Sequence, residues 1–215
     1  YLIALNLNPN PSPPTLLAGL ELYGEDWAQV AEHVGTRNQM ACIMAFSEGD
    51  LAAPLGKRLN TSSPDHELIV IHLLGQHFHY AQRCPASVAP FKGVDNDSVM
   101  QAMKAAGRSA STRESRNEYD NAVYCGSQAV AALLDTLYQA RSQRALSAFY
   151  FSDHGQEVGH GENRAGHSPG TEAGYRIPTI VWTNHSRPAA SANVAQRPFR
   201  ADWAGWTVAD ILGLD

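Results

Sequence analysis

Apolar side chains fall along this chain in two kinds of pattern. In residues 67–73 (ELIVIHL) they make a short run rich in β-branched residues, which predicts a strand buried on both faces. Residues 145–151 (ALSAFYF) and 177–183 (IPTIVWT) read as two more buried strands. Elsewhere the spacing turns helical, over residues 97–106 and over the long segment 115–140. There Ala122, Val123, Ala129, Ala132, Leu133 and Leu137 form the apolar side. A short helix over 206–212 closes the pattern. Strand, long helix, strand predicts a sheet with helices on its faces, so the fold class is α/β.

The opening residues follow another rule. After a Pro-rich lead-in from Pro9 to Pro14, Thr15 can cap a helix carrying Leu16, Leu17, Leu20 and Tyr23, with Gly24 as its stop. Asp26 can cap a second helix with Trp27, Val30, Ala31 and Val34 on one face. Thr36 can cap a third, with Met40, Ile43, Met44 and Phe46 apolar. The predicted organisation is a three-helix segment over residues 1–46 and an α/β domain over 47–215. Residues 186–200, rich in Pro, Ala and Ser, read as a surface connection.

The stretch GEDWAQVAEHVGTRNQMACI within residues 15–46 resembles a SANT domain, although the tryptophan that usually opens the first such helix is absent. That resemblance implies a protein-interaction module, often for histone tails, and so a protein partner through residues 15–46. The plainer reading is a small helical cap with Trp27 as a core aromatic. Within this segment Arg37 and His33 face Glu21, Glu25, Asp26 and Glu32, a balance that argues against DNA binding.

Composition narrows the classes. The chain has 215 residues, 44% hydrophobic and 17% charged, which suits a folded globular protein. Its formal net charge of −5 gives no reason to expect a nucleic-acid partner. No apolar run is long enough to span a membrane, and the first residues lack the basic start of a secretory signal, so an anchor or export signal would have to lie outside the chain. Cys42, Cys84 and Cys125 form no CxxC pair. The expectation is free thiols, with a Cys84–Cys125 disulfide as the alternative in an oxidising compartment.

The residues that carry chemistry sit at strand ends. Ser152-Asp153-His154-Gly155 follows the ALSAFYF strand, and in α/β sheets ligands bind where strand carboxyl ends project polar loops into a crevice. An adjacent Asp and His offer a hard oxygen and a borderline nitrogen, suited to zinc or manganese. A second group, His72 to Tyr80 with His77 within it, follows the ELIVIHL strand. A third is the Gly/His-rich loop from Gly159 to His167. One such histidine alone is more often a core or surface imidazole; Asp-His at one strand end, His77 at another and His167 in the next loop argue for a shared site.

The blocks LIVIHLLGQHFHYAQRCP, YDNAVYCGSQAV and FYFSDHGQEVGHGENRAGHSPGTEAGYRIPTIVW, with WAGWTVADILGL at the end, are similar in order and spacing to the sulfatase-like phosphoethanolamine transferases of the alkaline phosphatase superfamily. The resemblance covers about residues 50–214. It implies an alkaline-phosphatase-like sheet flanked by helices, of which this chain holds the C-terminal half, and a metal-dependent enzyme acting on phosphate or sulfate esters through a covalent enzyme intermediate. It further implies that Asp153 and His154 ligate zinc, that His77 and His167 act catalytically at the substrate phosphate or on a second metal, and that Asp120 and Asn121 face the rim as substrate-binding residues. For these last two, capping or helix packing is the competing reading, and for His160 plain surface exposure. The implied partners are a phosphoethanolamine-donor lipid and a lipid or glycan acceptor. The implied location is the inner membrane, with the catalytic domain facing the periplasm.

The pattern departs from that family at its N-terminal half. Gln76 replaces a usual serine, and the nucleophile motif with its further carboxylate ligand is not evident; Thr15 is a weak candidate nucleophile that helix capping explains equally well. The chain therefore reads as a partial or rearranged catalytic domain. The expected consequences are open sheet edges beside SAFYFS and a metal site short of ligands. A non-catalytic remnant, or an interaction protein working through its helical segment, are the alternatives.

Overall fold

The computed structural model describes residues 2–6, 41–43, 51–61, 67–185 and 198–212. Its centre is a mixed five-stranded sheet in the order β2-β3-β1-β4-β7, formed by β1 (Leu2–Asn6), β2 (Ala41–Ile43), β3 (Ile69–His72), β4 (Ser147–Phe151) and β7 (Thr179–Thr183). A two-stranded hairpin, β5 (Glu157–Val158) and β6 (Ala165–Gly166), stands apart from it. The helices are α1 (Ala52–Leu59), α2 (Ser98–Ala105), α3 (Ala110–Ala140), α4 (Glu172–Tyr175) and α5 (Ala204–Leu212). None of the described helices is long and apolar enough to cross a membrane.

Alternation along the strands decides what packs where. Ile69 and Ile71 of β3, with Ala148 and Tyr150 of β4, join Leu55 and Leu59 of α1 and Val130, Leu133 and Leu137 of α3 in one buried cluster. Each large aliphatic side chain so buried stabilises the fold by roughly 1.5–3 kcal/mol. Phe149 points to the opposite face, where Phe199 meets it edge-on at 5.8 Å, on the approach to α5. At β4 the sheet is therefore covered on both sides, as that strand's unbroken apolar run requires. A half-buried ion pair between Arg58 of α1 and the buried Glu67 fixes that helix to the start of β3.

The α3 helix begins at Ser109, whose hydroxyl accepts the Thr112 N–H. Its polar stripe 113, 117, 121, at helical spacing, holds the preceding loop: Arg113 donates to the Val94 carbonyl, Asn117 to that of Gly93, and Asn121 both gives to and takes from the Phe91 backbone at 2.9 Å.

Four expectations change. Ala41–Ile43 is a strand parallel to β3, not part of a third helix, because its register with Ile69–Ile71 fits the sheet. The first two predicted helices and Thr15 lie outside the described residues. The strand β1, with no counterpart among the expected elements, runs between β3 and β4, so β4 has a neighbour on each side and is not the open edge anticipated. The strand predicted at 177–183 exists, but at the end of the sheet, where Thr179, Ile180 and Val181 are exposed. Finally, Cys84 and Cys125 are joined in a disulfide that ties the chain beyond β3 to the middle of α3. Spacing could not show that, because the two residues become neighbours only when α3 packs against that segment.

Candidate metal and phosphate site

Strand direction gathers the site. Both β3 and β4 run antiparallel to β1 and so parallel to each other, and Leu2 is level with both His72 and Phe151. The chain segments leaving β3 and β4, which carry His77 and Asp153–His154, emerge at one edge of the sheet.

The turn after β4 orders two ligand-type side chains. Ser152 is buried, and its hydroxyl donates to the His154 carbonyl at 2.7 Å. The His154 N–H donates to Asp153 Oδ1 at 2.9 Å, while Oδ2 faces the His154 ring. His154 Nδ1 lies 2.8 Å from the Gly155 carbonyl oxygen, which can only accept. That nitrogen therefore carries the proton, and in the neutral ring Nε2 presents a lone pair 3.7 Å from Asp153 Oδ2. A backbone carbonyl holding one ring nitrogen so that the other is free to ligate is the usual arrangement of a metal-binding histidine.

His167 comes to the same place through the β5–β6 hairpin. Glu157 pairs with Gly166, so residue 167 returns beside residue 156, and the His167 ring stacks on that of His154 with centroids 4.0 Å apart. Two glycines allow the close approach. The Gly155 N–H donates to the Gly174 carbonyl at 2.9 Å, and a Cβ at Gly155 would stand 2.0 Å from the Ala173 oxygen. One at Gly174 would stand 1.9 Å from the Ser168 oxygen. Gly174 was not among the expected site residues; it reads as an ordinary glycine until the fold brings two backbones together.

The remaining candidates separate. His77 is exposed in the turn after β3, its N–H on the Leu74 carbonyl and its own carbonyl accepting from Arg83. Gln76 is buried with its amide on the Ala122 carbonyl, and Gly126 leaves it room. Asp120 is held by Arg116, whose Nε reaches both carboxylate oxygens at 2.8 and 2.9 Å. Arg116 also donates to His160 Nε2 at 2.9 Å, so His160, though exposed, is tied to α3. Burial and the neighbouring Arg116 charge lower its pKa, which keeps the ring an acceptor. Asn121 is buried against the Phe91 backbone, the packing arrangement described above.

The donor set at Asp153 and His154 fits zinc or manganese as two of its ligands, one carboxylate oxygen and one oriented imidazole nitrogen. Among the described residues no group of three or more His, Cys, Asp or Glu side chains could hold a metal by itself. A cavity of about 500 Å³ lined by Leu73, Gln76, Cys84, Cys125, Leu133 and Tyr150 lies on the α3 side of the sheet and contains none of these ligands.

The sulfatase family model matches residues 34–211. The chain belongs to the sulfatase family. Among its relatives are phosphoethanolamine transferase EptC of Escherichia coli, 35% identical over 135 residues, which are 61% of this chain and 22% of that protein. The Kdo(2)-lipid A phosphoethanolamine 7''-transferase of the same species is 31% identical over 151 residues, covering 65% of this chain and 24% of the relative. Phosphoethanolamine transferase CptA of Salmonella typhimurium is 32% identical over 147 residues, 66% of this chain and 24% of the relative. This sulfatase-family chain thus spans about a quarter of the length of the curated relatives it matches. No solved structure gives a significant match.

Proposed function

We propose that this chain is the metal-holding part of a phosphoethanolamine transferase catalytic domain, in which Asp153 and His154 ligate zinc or manganese. The observation that carries the reading is the His154 ring, with Nδ1 committed to the Gly155 carbonyl and Nε2 beside Asp153 Oδ2. The names of the relatives support phosphoethanolamine as the transferred group and a lipid acceptor; a lipid donor and a glycan acceptor are the wider expectation.

A bound divalent metal would withdraw charge from a phosphate oxygen and lower the pKa of an attacking hydroxyl. Around it, His167 offers a ring N–H to an equatorial phosphate oxygen, and His77, leaving the adjacent strand, is the second donor we assign. The reaction class is displacement at phosphorus. The enzyme hydroxyl loses its proton to solvent as its oxygen forms a P–O bond, the P–O bond to the leaving alkoxide breaks, and one imidazole delivers a proton to the departing oxygen. A second displacement passes the group to the acceptor. The hydroxyl is unassigned, since Thr15 lies outside the described residues. The Cys84–Cys125 disulfide supports an oxidising compartment such as the periplasm.

Calorimetric titration of the full chain with zinc tests the reading against a scaffold without catalysis. The wild type binds, and the double variant Asp153→Ala, His154→Ala binds at least tenfold more weakly. Equal affinity in the two proteins overturns the proposal.

A further inference from the structure

A buried bond joins two segments that the site needs at one edge of the sheet. Tyr80 opens the 3-10 turn Tyr80–Gln82 just beyond His77, and its hydroxyl donates to Gln156 Oε1 at 3.0 Å. Both residues are buried. Gln156 follows Gly155, whose carbonyl sets the His154 ring, and precedes Glu157, where the hairpin that returns His167 begins. The Tyr80 ring is itself held firmly, packed with Ala122 and Val158 and edge-on to Tyr119 at 5.3 Å. Burial pushes its hydroxyl up to about 12, so it remains a donor at any working pH. On its other side stands His79, at φ 70° the one non-glycine residue with positive φ among the described residues, a backbone state that persists only where neighbours enforce it.

We infer that Tyr80 is a positioning residue for the ligand pair. Through Gln156 it fixes the Gly155 peptide on which the His154 tautomer depends, and it anchors the segment following His77 to the same point. The inference rests on the reading of Asp153 and His154 as metal ligands. A buried polar pair with no further role would affect stability alone.

The experiment uses the full chain and two variants, Tyr80→Phe and the double variant Tyr80→Phe, Gln156→Leu. The first leaves the Gln156 oxygen buried without its donor; the second removes both partners and should recover most of the stability lost. Nitrogen-15 NMR of the metal-free protein at pH 8 reads the His154 tautomer, and calorimetry reads zinc affinity. The expected result is a predominantly Nδ1–H ring in the wild type, a mixed tautomer in both variants, and zinc binding about tenfold weaker in both. If the first variant does not fold, the double variant carries the comparison. An unchanged tautomer, or a tautomer that returns together with stability in the double variant, overturns the inference. A wild type that binds no zinc while the variants still shift the tautomer would defeat the metal reading and leave the positioning role standing.

Discussion

Asp153 and Glu157 stand four residues apart and are used in opposite ways. The Glu157 side chain has no exposed surface, and both its oxygens accept the Gly161 N–H at 3.1 Å. Burial on its own would raise its pKa, but the amide hydrogen bonds, that of Gly161 first, outweigh it and hold the carboxyl below the ordinary range. The Asp153 side chain is 81% exposed, with one oxygen on the next residue's N–H and the other facing the His154 ring. The same chemical group is a closed structural clip in one place and, in the other, the open carboxylate that we propose as a ligand. The difference lies in how many donors the fold supplies, and the proposed role of Asp153 rests on its unsatisfied polar capacity at a strand end.

The largest test of this contrast is Glu157→Gln. The amide would turn a donor toward the Gly161 N–H at a fully buried position, and the expected cost is about 3 kcal/mol at neutral pH, read by denaturant unfolding. The pH dependence has a definite sign. Because the folded-state pKa is lowered from about 4.5, Glu157 contributes stability that is fully present above that value and lost as pH falls through the folded pKa. The gap between wild type and variant should therefore narrow on acidification below about pH 4.5. A gap that stays constant or widens would show that the carboxylate form is not what the clip requires.

Next in size is the disulfide, which closes a sequence separation of 41 residues and begins seven residues beyond His77. Replacing both Cys84 and Cys125 by Ser should cost roughly 2–4 kcal/mol. Reductant should produce the same loss in the wild type and none in the variant. If reductant leaves the wild type unchanged, the two thiols are not bridged in solution.

What could be read from sequence divides along the same line. The three strands at 69–72, 147–151 and 179–183 and the long α3 were legible because apolar runs and helical spacing are local signals. The Asp153-His154 pair could be singled out as a candidate because adjacent ligand types stand directly at a strand end. Three other features depended on distant contacts. Residues 2–6 carry too short an apolar run to declare themselves a strand, and only pairing with β3 and β4 makes them one. Residues 41–43 match helical and extended patterns equally over so short a span, and pairing with β3 decides between them. The close approach of Gly155 to Gly174 joins segments whose separation carries no periodic signature.

The smallest expected effect is the most discriminating. Asp153→Asn keeps the size of the side chain, and the amide oxygen can still accept the His154 N–H, so the turn has no reason to open. At a largely exposed position, where the long 3.4 Å bond from the Ser152 hydroxyl to Oδ1 can persist with an amide oxygen, the stability change should stay within about 0.5 kcal/mol. The amide removes the formal charge that makes Oδ2 a good ligand for a hard or borderline cation, so zinc affinity should fall at least tenfold by calorimetry. Glu157→Gln costs fold stability through the same carboxylate-to-amide change, so together the two variants form a cross-over. Should Asp153→Asn destabilise the chain as much as Glu157→Gln, Asp153 would be a structural turn residue like its neighbour, and the open ligand would have to be sought elsewhere along the strand ends.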